Sequence, residues 1–557
     1  MELVSSTAAK RSQRIIFAAQ IILVGLLVLL AYQSMMNATF VWDDSGYVVS
    51  NLSLRSFNNW IYYFTDPINT FRDYRDPLVL SGPGWRPIRN LSFALDYQLF
   101  RLNPAGWHMH NILLHAAASI LLLWLLRLLF LKNDASVESR TAAHFAITAG
   151  TIWWALQPVQ TEVVCWVKSR DDLLCTVFSL FAMIFFIKLP DQQTSRTRTV
   201  AVLSGILFYL LALFSKENGI TIPAIALLYY CIVKPGFRTT ISRRIYVYLF
   251  ITLAAFSLSF LAFRDLLLHG TAQTDYISGS FSLMMATMTE AWTRYLQLIM
   301  WPWWPTRLLA DYDTWPYHAT KWLSPAAALG TCLFLFPTVV AAASVRRQPL
   351  LTFGWFAFLI MMLPFANIVP MMQVIAERFL YMPIFGVALV VAVIVQVALA
   401  NIAITLPRIR ATGFSILVLL GAADLITTSA RAHVWQNETR LFSDTLQQNS
   451  QSWRPRVNYL NALVNSGETT AALSFARQNL KTYPQSSAIK TAVAIAYLRC
   501  GQEVKGEKML LDIYRHNPKE KQPLQLLITY YRQSGNQAKA EKYEIMTKSV
   551  QIHSPAN

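Results

Sequence analysis

The stretch IIFAAQIILVGLLVLLAYQSMMNATFVWDD, residues 15–44, changes from an apolar run to a pair of adjacent carboxylates within a few turns. Ile15–Ala31 follows Lys10, Arg11 and Arg14, and is close to the ~20 apolar residues that a helix needs to cross a bilayer. No small-residue cleavage site follows it, and aromatic residues continue the chain, so a retained first span is expected rather than a removed signal peptide. Asp43 and Asp44 then stand where that span meets water.

Composition extends the membrane reading to the whole chain. Of 557 residues, 54% are hydrophobic and 14% charged, and the mean hydropathy is +0.36, which excludes a wholly soluble protein. Apolar segments centre near residues 23, 120, 150, 180, 207, 226, 254, 333, 359, 388 and 420, predicting about eleven spans. The net charge of +18 lies in short clusters between these segments, a loop pattern that argues against nucleic acid as a partner. Alternate loops carry Arg127, Lys132 and Arg140; Lys188, Arg196 and Arg198; Lys234, Arg238, Arg243 and Arg244; Arg346 and Arg347; and Arg408 and Arg410. Basic loops face the cytoplasm, which makes the N-terminus cytoplasmic. The external side then receives segments 33–109 and 264–322, short loops near 158–170, 214–219 and 369–378, and the C-terminus. Five scattered cysteines form neither a disulfide framework nor a CxxC metal motif.

Past residue 430 the composition becomes that of a soluble helical domain, residues 431–557, behind a membrane domain, residues 1–430. Gly467, Gly501 and Gly535 are spaced by 34 residues, as are Pro484 and Pro518. Leu463, Tyr497 and Tyr531 keep the same period, and so do Ala472, Gly506 and Ala540. This is the tetratricopeptide (TPR) signature, an all-α solenoid with a concave face suited to a protein or peptide. Residues 439–450 read as a half-repeat joining it to the membrane domain.

Ionisable residues gather on the external side: Asp43 and Asp44; His108, Asn111 and His115; Glu162, Lys168, Arg170, Asp171 and Asp172; Lys216 and Glu217; Glu377 and Arg378. Charges at membrane depth are costly, so a one-sided gathering of both signs predicts a site. It has cations for a phosphate and carboxylates for a proton. His108, Asn111 and His115 share one helical face, which a structural seam between helices would also use. No metal site is assigned, although the carboxylates are compatible with a divalent cation.

The blocks FVWDDSGYVVSN, WRPIRNLSFALDYQLFRLNPAGWHMHNILLH, QPVQTEVVCWVKSRDDLL, SKENGIT and AERFLYMP, with the repeat tail behind them, resemble the GT-C superfamily of membrane glycosyltransferases. Within it they are similar to the transmembrane and TPR-containing O-mannosyltransferases and their bacterial relatives. The resemblance implies an acceptor hydroxyl attacking C1 of a sugar on a polyprenyl phosphate, the lipid-linked donor being a co-substrate and no other cofactor being implied. It makes Asp43 the general base, with Asp44 in support. Arg86, Arg170, Lys216 and Arg378 are the expected phosphate contacts, and His108, Asn111, His115, Glu162, Asp172, Glu217 and Glu377 the supporting residues. Where relatives read HPVHTE, Gln157 and Gln160 replace the histidines, so no proton-shuttling or metal-binding role carries over to that block. The short repeat array, and a C-terminal SPAN that is not an ER-retention signal, point to a bacterial inner membrane with the site and solenoid periplasmic.

Competing readings are an oligosaccharyltransferase or O-antigen-ligase type enzyme using a polyprenyl-pyrophosphate glycan, a lipid-linked sugar flippase, and a non-catalytic scaffold. A monophosphate versus a pyrophosphate donor separates the first. Polar residues at one face rather than the midplane argue against the second. The acceptor, whether protein, lipid or glycan, is not read from the residues. The charge pattern makes one direct prediction: a reporter fused after residue 557 is active outside the cytoplasm only, and cytoplasmic activity would take the clustered residues off their common side.

Overall fold

A computed structural model of the protein describes residues 2–66, 84–131, 137–189, 194–234, 240–268, 275–276, 278–300, 302–303, 308–312, 324–371, 373–402, 407–449, 452–518 and 520–552. The described residues are helical, joined by turns, with no strand among them. Helices stand at every expected span position: Glu2–Tyr32, Pro104–Phe130, Val137–Leu156, Arg170–Lys188, Ser195–Ser215, Ile222–Ile232, Thr240–Leu267, Pro325–Ala343, Pro349–Met362, Ile384–Ile402 and Pro407–Val434. Among the described residues, 6 helical segments are long and apolar enough to cross a membrane, and Glu217–Ile232, Pro349–Phe365 and Ile384–Leu399 are apolar but shorter.

Two kinds of helix make up this integral membrane domain. Ser195–Ser215 exposes Val200, Leu203 and Leu207; Pro325–Ala343 exposes Leu329, Phe336 and Val339; and Val418, Leu419 and Ile426 are exposed on Pro407–Val434. Such apolar surface would drive aggregation in water, whereas in lipid it meets its own kind. Arg170–Lys188 is instead enclosed along nearly its whole length, packed by Pro104–Phe130 and Ser195–Ser215. Its first turn, Arg170, Asp171 and Asp172, lowers its apolar score, and protein partners rather than lipid satisfy those charges.

Segment 264–322, read from the sequence as an external loop, carries a further helix, Phe281–Met300. Met284, Met288, Ala291, Tyr295 and Leu298 recur along one buried face. The intervening Thr289, Glu290, Thr293 and Arg294 hide that face from an average over hydropathy. It packs on Pro325–Ala343, where a Cβ on Gly330 would come within 1.8 Å of the Thr289 carbonyl, so only glycine allows this approach. Expected external residues 67–83 and 313–323 lie outside the described residues.

The C-terminal solenoid consists of three helix pairs, Trp453–Asn465 with Thr469–Thr482, Ser487–Arg499 with Glu503–His516, and Gln522–Gln533 with Gln537–Ile552. The 34-residue period is one recurring helix stop. Gly467, Gly501 and Gly535 each adopt φ +78°, and the next residue's N–H reaches back to Leu463, Tyr497 or Tyr531 at 2.8–2.9 Å. That is the Schellman closure, which satisfies carbonyls left over at the helix end and needs a residue tolerant of positive φ. Gly501→Ala is therefore expected to cost ~1–2 kcal/mol. Faster hydrogen exchange across 487–516 would register the loss, whereas unchanged protection would contradict this account of the repeat.

Candidate active site

Asp43 and Asp44 are aimed by the residue before them. Trp42 has φ 56°, a left-handed conformation that costs a bulky residue ~1–3 kcal/mol and persists only where the surroundings impose it. Its indole stacks on Trp166, with centroids 4.6 Å apart and planes 9° from parallel, and meets Phe442 edge-on at 5.7 Å. Ser45 closes the turn by donating its hydroxyl to the Trp42 carbonyl at 2.9 Å.

The two carboxylates then meet different surroundings. Asp44 is fully enclosed: Oδ1 accepts the Lys168 N–H at 2.7 Å and Oδ2 the Val41 N–H at 3.2 Å. Burial pushes its pKa up to about 8 against the pull of those amides. Asp43 remains partly open, with Lys168 Nζ 3.8 Å from its Oδ2. Desolvation raises its pKa too, opposed by Lys168, Arg378 and Arg89. Asp44 shapes the loop, and Asp43 presents a carboxylate.

The block QPVQTEVVCWVKSRDD, residues 157–172, runs through Pro158–Gln160, Thr161–Cys165 and Val167–Ser169, three short turns that bury almost every side chain. The polar stripe on Pro104–Phe130 holds it. Asn111 Nδ2 donates to the Val164 and Trp166 carbonyls at 3.3 and 3.2 Å. Its Oδ1 accepts Arg170 Nε at 2.8 Å. His115 lies between the Tyr381 hydroxyl at 2.8 Å and the Ala155 carbonyl at 2.9 Å. His108 Nε2 is 3.2 Å from the Thr39 carbonyl, tying the stripe to the Asp43 loop. Gln157 and Gln160 are enclosed as well, donating to the Ile299 and Trp154 carbonyls at 3.0 and 3.2 Å. Both glutamines thus serve packing.

Ion pairs join the remaining blocks. Asp171 takes Arg86, with Arg89 at 3.5 Å and Lys216 Nζ at 3.8 Å. Lys216 Nζ lies 2.6 Å from Asp172, and Arg86 Nη2 lies 3.0 Å from Glu217. Glu162 grips Arg378 twice, by a side-chain ion pair and by accepting its backbone N–H at 2.8 Å. Glu377 is buried and accepts the Leu309 N–H and the Tyr312 hydroxyl at 2.7 and 2.8 Å. Burial raises its pKa, with Arg431 opposing.

Accessibility sorts these residues. Side-chain exposure is 24% for Asp43, 16% for Arg86, 15% for Lys168 and 11% for Arg378, but at most 3% for Asp96, Arg170, Asp171, Asp172 and Glu162. Burial lowers the Lys168 pKa to about 8, Asp43 opposing that shift while Arg378 and Arg86 add to it. Asp43 therefore stands partly open with Lys168 at 3.8 Å and with Arg378 and the enclosed Arg89 within electrostatic reach, while Arg86 and Arg378 both act on Lys168. Of the residues expected to contact a phosphate, Arg86 and Arg378 have that access, and Lys216 is almost enclosed between Asp171 and Asp172. Arg170 does not: its guanidinium pairs with Asp96 and donates to Asn111 and to the Trp107 carbonyl at 2.9 Å. Lys168, two residues away, is the partly open cation of that block. The sequence assigns Lys168 no role, since the turn geometry that points one cation inward and the other outward is not written in spacing. Trp42 and Asp96 went unread for the same reason. Among the described residues, no group of three His, Cys, Asp or Glu side chains is placed to hold a metal ion.

The fold and the cluster define an integral membrane protein with polar chemistry at one end of its helical bundle and a helical repeat behind it. The chain is similar to protein O-mannosyl-transferase TMTC4 of Mus musculus, 25% identical over 501 residues, 82% of this chain and 65% of the relative. It is also similar to protein O-mannosyl-transferase TMTC3 of Mus musculus, at 24% over 532 residues, 88% of this chain and 54% of the relative. Protein O-mannosyl-transferase F38B6.6 of Caenorhabditis elegans matches at 24% over 425 residues, 75% of this chain and 56% of the relative. The chain thus spans between about half and two thirds of the length of these curated relatives. No family model and no solved structure matches it.

Removing one partner of a buried ion pair leaves an uncompensated charge, so Arg170→Met should destabilise the membrane domain by ~3–5 kcal/mol. Thermal unfolding of the detergent-solubilised protein measures this. A midpoint equal to the parent's would contradict a structural role for Arg170.

Proposed function

We propose that the protein is an inverting glycosyltransferase moving a sugar from a polyprenyl-phosphate donor to an acceptor hydroxyl at the external membrane face. The observation that carries the reading is Asp43, a partly open carboxylate with Lys168 Nζ at 3.8 Å and Arg378 within electrostatic reach, Arg86 in turn lying within reach of Lys168. The acceptor oxygen forms a bond to C1 as the bond from C1 to the phosphate oxygen breaks. The hydroxyl proton passes to Asp43, and the electron pair leaves with the lipid phosphate. A carboxylate in reach of the hydroxyl suits proton removal as attack develops. Fixed cations suit the departing phosphate, because no reorganisation is required when its charge appears. A single displacement inverts C1.

Similarity to proteins named O-mannosyl-transferases supports the transfer chemistry and favours mannose and a protein hydroxyl as the finer form of the proposal. The concave face of the solenoid is then the place to receive the acceptor polypeptide. Asp44, bound by two backbone amides, keeps the loop in shape in this reading, while Glu162 and Glu217 hold Arg378 and Arg86.

Purified protein given a polyprenyl monophosphate sugar should transfer it, and a pyrophosphate-linked glycan should be inert. Asp43→Asn should lower turnover roughly 100-fold or more while donor binding survives, as expected for loss of a general base. Asp44→Asn should cost less. In the parent, Asp43 must be deprotonated and Lys168 protonated, so the rate should be lost as pH falls through the raised Asp43 pKa. It should fall again above about pH 8, as Lys168 gives up its proton. Lys168→Arg should move the alkaline limb upward. Near-normal turnover by Asp43→Asn, or use of the pyrophosphate donor alone, would overturn the reading.

A further inference from the structure

The helix Glu438–Gln448 opens the C-terminal array, yet it is seated in the membrane domain: Leu441 and Phe442 are buried in the same core as Trp166 and Trp435. Its first residue reaches the carboxylate loop. Glu438 Oε1 accepts the Trp42 backbone N–H at 2.8 Å, and two residues further back the Gln436 carbonyl accepts the Thr39 N–H at 2.9 Å. Trp42 is the left-handed residue whose conformation directs Asp43, and two of its restraints, Glu438 and Phe442, come from this one helix.

Glu438 is itself held from the solenoid side. The Asn465 side chain, in the last turn of the first repeat helix, lies beside the Glu438 carboxylate and lowers its pKa against the rise that burial imposes. Arg499, its counterpart one 34-residue period later, donates Nη1 to Asn465 Oδ1 at 3.1 Å. A series of polar contacts therefore runs from the second repeat through Asn465 and Glu438 to the main chain beside Asp43. The same helix makes a second strut: Asp444 pairs with Arg431 at 2.9 Å, and Arg431 Nη2 lies 3.9 Å from Glu377, next to Arg378. Both charged blocks of the site are thus braced by a helix that belongs to the repeat array.

We infer that Glu438 is a positioning residue for Asp43, acting through the Trp42 main chain, so that the solenoid is built into the reaction centre rather than tethered beside it. The inference rests on Asp43 being the general base. A carboxylate displaced by as little as ~1 Å from its productive position can lose up to 100-fold in rate. Donor affinity, set by Lys168, Arg86 and Arg378, is a separate quantity.

The test uses the full-length protein, with turnover expressed per folded molecule. Glu438→Ala should lower kcat about tenfold and leave the donor KM in place, a split that simple loss of stability would not produce. Glu438→Gln keeps an amide oxygen to accept the Trp42 N–H and should recover most of the rate. In an Asp43→Asn background, Glu438→Ala should cost little more, because both changes act on one proton transfer. If Glu438→Ala does not accumulate folded, Asn465→Ala carries the same test, releasing the carboxylate from the solenoid with the same loss in kcat alone. Normal kcat for Glu438→Ala beside an inactive Asp43→Asn would remove the positioning role alone. Near-normal turnover by Asp43→Asn would remove the base assignment and the positioning role with it. Multiplicative losses in the double variant, or a Gln variant as slow as Ala, would also overturn the inference.

Discussion

Taking Arg170 and Asp96 out of water costs several kcal/mol per ion, which their attraction offsets only where every remaining donor and acceptor is filled. Here they are filled. Asp96 also takes His110 at 2.6 Å, and Arg170 spends its other donors on Asn111 and Trp107. The pair joins three elements at once: Pro87–Phe100 from the external segment, the seam helix Pro104–Phe130, and the first residue of Arg170–Lys188. With that first turn fixed, Asp171 and Asp172 face Arg86, Arg89 and Lys216, and the loops carrying those cations have only one place to dock.

The same residue types serve two purposes, and solvent access separates them. Arg170, Asp171 and Glu162 are enclosed, ion-paired and act as joints between helices. Charges with one open side keep binding capacity, as Asp43, Lys168, Arg86 and Arg378 do. The open cations depend on the enclosed acids: Asp171 orients Arg86, which the more exposed Glu217 also meets, and Glu162 orients Arg378. A site built this way holds its cations at fixed positions before any ligand arrives, which is where electrostatic stabilisation of a departing anion is most effective.

The solenoid follows a different logic. Its repeats are closed by local backbone hydrogen bonds at Gly467, Gly501 and Gly535, and each contacts mainly its neighbours. Its attachment is not local. Phe442, Leu441 and Glu438 enter the membrane domain, and Trp42 accepts a costly backbone conformation against them. Tolerating such strain next to Asp43 is understandable if the position of that carboxylate matters more than the stability of the loop.

Much of this was legible in the chain. Apolar runs of bilayer length and a 34-residue glycine period depend on local composition and short-range geometry, so they survive reading in one dimension. The gathering of Asp43, Glu162, Asp172, Lys216 and Arg378 was also visible, because charge beside apolar spans is rare enough to stand out. The amphipathic helix Phe281–Met300 was not, since its buried face is interleaved with polar residues and needs a partner surface to be recognised. Nor could sequence separate Arg170 from Lys168, or Asp43 from Asp44. Those adjacent residues differ only in which way a turn points them, and the turns are set by contacts from segments tens to hundreds of residues away: Asp96, Asn111, Trp166 and Glu438. The residue types and their places at the ends of apolar spans were thus written locally, while the division into structural joints and open site was decided by long-range packing, because burial belongs to the folded chain and not to any one residue.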